Sequence, residues 1–309
     1  MKFVISGDIK RRKNLYWAVL FFSVFSLLFW ISSFIYYYLN FGFDYDSLFK
    51  YYFTDFDFPE KISLQQITEN VHINLFLNGF LILMVVSIFN VFDFRENFKL
   101  WLIVLTFLFG ILYSVVDVFI FLLDGFVILK AVFFLLFQMF LGFCLLLVFY
   151  GLLKGHSNVS IGNLRKIIGF FSFFMLIFFL VNFLLFYQKM GFSFESVKTY
   201  YLGNPELYVK PKTFEGLFKV FYPHLITMAL LSFTLSHFLL FSVVKKSIAV
   251  TLGITTFIFG FIDNLSGILI RFLDEKLVYV KFLSFLLLEL LFITGFLIVL
   301  FSSLKKEPY

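Results

Sequence analysis

His72, His224 and His237, with Asp117, Asp263 and Glu289, are the side chains of this 309-residue sequence that stand where chemistry is unusual, inside long apolar runs. Neutral imidazole is a good axial ligand for haem iron, and helix bundles build cofactor sites from facing side chains. Ionisable groups in hydrocarbon cost about 2.5–3.5 kcal/mol on insertion scales, which makes each a candidate for function. Two chemistries follow. The histidines point to a b-type haem or another metal group. The carboxylates point to proton or cation handling. No zinc pattern, phosphate loop, dinucleotide fingerprint or GxSxG elbow is present, and no catalytic residue is assigned. His156 sits in a Gly/Ser/Asn-containing loop and is read as solvated.

The elements that must position these groups are membrane spans. Mean hydropathy is +0.98, 61% of residues are hydrophobic and only 14% charged, with 54 phenylalanines. A soluble domain carries roughly 25% charged residues, so a soluble enzyme, a disordered chain and a disulfide scaffold are excluded. A span needs about 20 mainly apolar residues. Eight runs qualify, at 15–40, 67–92, 100–123, 127–153, 167–188, 220–244, 247–273 and 278–304. The first follows Lys10-Arg11-Arg12-Lys13 but exceeds the roughly 7–15 residues of a signal-peptide core. It is read as a retained span.

Charge sets the expected orientation. With the N-terminus inside, the cytoplasmic segments hold 14 of the 25 Lys and Arg against four acids. The other side holds 11 against 12, and three acids fall within spans. This predicts eight spans with cytoplasmic N- and C-termini. The net charge of +6 is explained by topology, so no nucleic-acid partner is expected. Cys144 is the only cysteine and forms no intrachain disulfide. Asn158-Val159-Ser160 matches a glycosylation acceptor but falls in a predicted cytoplasmic loop. The two longest loops, 41–66 and 189–219, fall outside and are read as interfacial aromatic belts, or as places where a partner docks.

A repeat of about 150 residues runs through the chain. Gly42-Phe43-Asp44 with Tyr51-Tyr52 matches Gly191-Phe192-Ser193 with Tyr200-Tyr201. Pro59 precedes His72 by the interval at which Pro211 precedes His224. Thr106 to Gly110 matches Thr256 to Gly260, and Leu123-Asp124 matches Leu273-Asp274. Lys130 leads Gln138 as Lys281 leads Glu289. The expected architecture is an all-α membrane protein of two parallel four-helix repeats, 1–155 and 156–309. Four spans return the chain to its starting side, so a pseudo-twofold along the membrane normal relates the copies.

This arrangement gives the haem reading its geometry. His72 and His224, at matching depth, would ligate one haem b between the repeats, with Asp117, Asp263 and Glu289 as second-shell or proton-handling groups. His237, 13 residues after His224, suggests a second haem. His72 has Val85 at that interval, so the second scheme lacks its other helix. The plain alternative is that these histidines meet headgroups or bond a backbone carbonyl. Pro223 predicts a kink, or an interfacial helix over 213–221 followed by the span. Ser63-Leu64-Gln65-Gln66 predicts a capped helix start.

Asp263 and Glu289 instead suggest a proton-coupled carrier, one-sided because Tyr113 and Gln138 replace them in the first repeat. The plain alternative has Asp263 bonding Asn264, Ser266 or a Tyr hydroxyl as packing glue. A third reading is a non-catalytic scaffold subunit of a membrane complex. The expected partners are membrane lipid and redox or envelope proteins on the extracytoplasmic side.

Residues 211–241 resemble a signature in bacterial multi-pass inner-membrane proteins. There a Pro-Lys-Ser/Thr-Phe start leads to a His-x-His pair, a Met and a later His. Pro211, Lys212, Phe214, His224, Met228 and His237 fit it. Tyr222 stands in place of the first histidine of the pair, as Asn70 does in the first repeat. The resemblance implies a bacterial multi-pass protein and no particular activity.

Overall fold

A computed structural model describes residues 13–54, 58, 60–123, 126–155 and 159–305. Lys10, Arg11, Arg12, Pro59, Asp124, His156 and Asn158 lie outside the described residues. The protein is all-α. Ten α-helices are described: α1 (Lys13–Phe41), α2 (Tyr45–Phe53), α3 (Leu64–Phe89), α4 (Glu96–Leu122), α5 (Ile128–Lys154), α6 (Ile161–Met190), α7 (Phe194–Leu202), α8 (Phe214–Leu239), α9 (Lys246–Phe272) and α10 (Leu277–Leu304). Eight of them are long and apolar enough to cross a membrane. They coincide with the eight expected runs, with ends shifted by up to six residues.

The repeat is visible element by element. Each copy is a long span, a nine-residue helix and three further spans, so α1 to α5 match α6 to α10 in order and in length to within one residue. The two long connecting segments, 41–66 and 189–219, are therefore not merely aromatic loops, since each contains a short helix. The same local signal makes both. Gly42 (φ +67°) and Gly191 (φ +70°) end the preceding span in the left-handed conformation that glycine adopts without strain. Two residues on, Asp44 and Ser193 cap the short helix by accepting the backbone N–H groups of Ser47 and Ser196. The expected cap at Ser63 is also formed, its hydroxyl accepting from Gln66 N at 3.2 Å.

Pro223 behaves differently from either expectation. It lies inside an unbroken helix, Phe214–Leu239, that starts at the Thr213 cap. The interfacial turn and the span are one element. Pro223 cannot donate to the carbonyl four residues back, and its own carbonyl accepts the Thr227 hydroxyl.

The chain divides into two compact units, Met1–Met175 and Leu176–Tyr309, and the division falls within α6. The packing boundary marks where α6 changes neighbours. Its first half packs within the first unit, with Phe171 against Phe80 and Phe170 against Phe107. Its second half packs within the second, with Phe179 stacked on Phe292 and Phe186 on Phe285. The Phe186–Phe285 stack (3.8 Å) repeats Tyr37–Phe134 (4.0 Å) of the first unit.

Candidate functional site: a buried lysine–aspartate pair in each repeat

In the first unit Asp117, near the end of α4, is 1% exposed, and Lys130, in the first turn of α5, is fully buried. Lys130 Nζ lies 2.7 Å from Asp117 Oδ1. The same oxygen accepts the Tyr52 hydroxyl of α2 at 2.6 Å. The ammonium also faces the rings of Tyr113 and Phe41, at 4.5 and 5.2 Å from their centroids. Asp117 Oδ2 has no hydrogen-bond partner among the described residues. The short helix α2 thus carries one wall of the site. Burial, and then the Asp117 charge, hold the Tyr52 phenol well above its ordinary range, so it remains a donor.

The second unit makes the pair again, one helical turn displaced. Asp263 stands on α9 where the first repeat has Tyr113, and Gly267 stands where it has Asp117. Lys281, the counterpart of Lys130, donates to Asp263 Oδ1 at 2.8 Å and to the Asp263 carbonyl at 3.1 Å. Ser284 Oγ approaches the same carboxylate at 3.4 Å. Tyr201, the counterpart of Tyr52, packs over Gly267, where an added Cβ would lie 2.9 Å from its hydroxyl oxygen. Asp263 therefore bonds a lysine and a serine of α10, while Ser266 bonds only its backbone carbonyl.

Glu289 lies two turns beyond Lys281 on α10, about 12 Å along the axis. It is 4% exposed. Its Oε1 accepts the Asn182 side-chain amide of α6, and its Oε2 has no partner among the described residues. No cation is paired with it among the described ion pairs. Gln138 takes its place in the first repeat, buried and uncharged, with Oε1 likewise unpartnered among the described residues.

The histidines occupy different settings. His72 is half-buried on α3. His224, half-buried on α8, bonds the Val220 carbonyl of its own helix through Nδ1 at 2.8 Å. His237 lies further along α8 among Phe233, Phe238 and Phe241. Among the described residues no three His, Cys, Asp or Glu side chains converge to hold a metal ion.

The partners Lys130, Lys281, Tyr52 and Asn182 carry no mark in the order of residues that assigns them to these acids. The one usable signal is the fixed interval from Lys130 to Gln138 and from Lys281 to Glu289, which puts lysine and acid or amide on one helix, two turns apart.

A family model described as a transmembrane helical domain matches residues 42–159 and, a second time, residues 191–309. Each match starts at the left-handed glycine and takes in the short helix and the three spans that follow. No curated protein and no solved structure matches the chain.

Proposed function

Since the chain belongs to the Aq_1264_TM family of transmembrane helical domains, and carries that domain twice, we propose that this integral membrane protein is a proton-coupled carrier whose second repeat holds the proton. The observation that carries the reading is Glu289. A carboxyl that has, among the described residues, one amide donor, one unpartnered oxygen and no cation is costly in hydrocarbon when charged. It is therefore held as the neutral acid and gives up its proton when a path to water or a coupled charge arrives. The Asn182 amide fixes Oε1, leaving Oε2 as the atom that exchanges the proton. Lys281 and Asp263 neutralise each other nearby and give a displaced charge a place to move. Gln138 makes the first repeat the non-titrating half.

Charge displacement on a pH jump, recorded from proteoliposomes on a solid-supported membrane, tests this without knowledge of the solute. The wild type gives a transient current, and Glu289→Gln reduces it at least tenfold. An equal current in the variant, or none in the wild type, overturns the reading.

A second reading, haem b with His224 as an axial ligand, has one observation in its favour. Nδ1 of His224 is engaged by the Val220 carbonyl, which leaves Nε2 available, as second-shell bonds do in metal sites. His237 is the further candidate on that helix. The optical spectrum of the purified, reduced protein checks it. Soret and alpha bands lost in His224→Ala support haem, and their absence from the wild type removes it.

A further inference from the structure

In the first unit a groove between α3 and α4 is filled by the first half of α6. Phe171 meets Phe80 edge-on at 5.3 Å, and Phe170 and Phe174 lie 5.7 and 6.4 Å from Phe107. Gly79 leaves the room that Phe174 and Met175 occupy. Polar pins hold one end. Asn163 Nδ2 donates to Glu96 Oε2 at 3.0 Å, and Asn90 Nδ2 donates to the Ser160 carbonyl at 2.9 Å. Because α6 is the copy of α1, the helix that fills the first repeat's groove is supplied by the repeat that follows it.

In the second unit the equivalent groove, between α8 and α9, is open. Phe257, the counterpart of Phe107, is 41% exposed where Phe107 is 2% exposed. A cavity of about 170 Å³ opens there, lined by residues that include Ser232, Phe257, Gly260 and Asn264. Ser232 stands where the first repeat has Phe80, and its buried hydroxyl has no partner among the described residues.

Helix α1 carries the residues of the filling helix, and two of its phenylalanines there are exposed. Asn14-Leu15, Phe21-Phe22-Ser23 and Phe25 stand in register, 149 residues before Asn163-Leu164, Phe170-Phe171-Ser172 and Phe174. Yet Phe21 is exposed, and Phe25 is 70% exposed where Phe174 is fully buried.

We infer that the α8/α9 groove receives the first half of α1 from a second copy of this chain, repeating between molecules the contact that α6 makes within one. Phe21 would lie on Phe257 as Phe170 lies on Phe107. Phe22 would enter the cavity beside Ser232, since a void of about 150 Å³ accepts a benzene ring. Small and polar groups such as Gly260, Ser232 and Asn264 are the kind that join helices in a bilayer, where apolar surface alone gives no preference for protein over lipid. Each repeat has four spans, so the copies run the same way and the contact is head-to-tail. A contact of that kind is satisfied at every site only when the assembly closes into a ring. The smallest such ring has two chains.

Cysteine cross-linking in native membranes tests the contact. In a Cys144→Ala background, one tagged chain carries Phe21→Cys and a differently tagged chain carries Phe257→Cys. Oxidation should yield a mixed-tag covalent dimer only when both are co-expressed. Phe107→Cys with Phe170→Cys in one chain is the folding control and should give an internal cross-link. With that control positive, three results overturn the proposal. They are no mixed-tag product, a cross-link that forms only when Phe21→Cys and Phe257→Cys are placed together in one chain, or a purely monomeric mass in the bilayer, which would leave the groove to lipid.

Discussion

Replacing Lys130 by Met isolates the energetic role of the buried pair. The substitution keeps an unbranched side chain one atom shorter and removes its charge, leaving the nearly inaccessible Asp117 with only the Tyr52 hydroxyl among the described residues. Breaking a buried ion pair from one side costs about 3–5 kcal/mol, because the remaining charge is uncompensated. Lys130→Met should fall at the upper end of that range. Asp117→Asn should fall at the lower end, since the ammonium keeps the faces of Tyr113 and Phe41 and a cation–π contact contributes about 0.5–2 kcal/mol. The double variant removes both charges, and such replacements are often neutral or stabilising. It should lie within about 1 kcal/mol of wild type, giving a coupling of at least about 7 kcal/mol. Trp30 is a local probe, because its indole N–H donates to the Gln138 carbonyl of α5 at 2.8 Å. Unfolding in mixed micelles followed by Trp30 fluorescence, with Trp17 and Trp101 replaced by Phe, measures all four corners of the cycle. Single variants that each cost less than about 1 kcal/mol and simply add would show that the pair does not close the repeat.

Three further outcomes follow from the same geometry. Tyr52→Phe removes a hydrogen bond to a charged acceptor and should cost about 1.5–3 kcal/mol in the first unit, measured by the same unfolding curve. Gly42→Ala and Gly191→Ala each force a side chain into a left-handed backbone and toward Ser47 or Ser196, so each should lower the thermal midpoint through a cost of about 1–3 kcal/mol. The Asp44 carboxyl is held below its ordinary range by the Ser47 N–H and hydroxyl. A lowered value in the folded state gives stability that is full above the ordinary carboxylate range and lost as pH falls through the folded value. Acid should therefore raise hydrogen exchange in α2 but not in α7, whose cap is Ser193, and Asp44→Ser should abolish the difference.

The spans were legible because length and hydropathy suffice for them. The copying was legible because landmarks such as Gly42 and Gly191, or Thr106 and Thr256, keep their order. Helices α2 and α7 were hidden by their shortness and by tyrosines and phenylalanines, which read equally well as an interfacial belt. Lys130 and Lys281 were hidden for a different reason. A lysine within a turn or so of a span's end reads as a solvated anchor, and only the fold turns it inward onto an acid of the neighbouring helix. The displacement of the acid from Asp117 to the Asp263 position separates the two pairs in an alignment, although both meet the same lysine. Pro223 reads as a break because its lost donor is visible in sequence, whereas the Thr213 cap and the Thr227 hydroxyl within one continuous helix are not.

The most direct test of the proton-holding carboxyl is infrared spectroscopy of the reconstituted protein at neutral pH. A neutral acid and a carboxylate absorb in separate regions. The account predicts a protonated-carboxyl band in the wild type that persists in Asp263→Asn and disappears in Glu289→Gln. A wild-type spectrum without that band, or one that Glu289→Gln leaves unchanged, contradicts it.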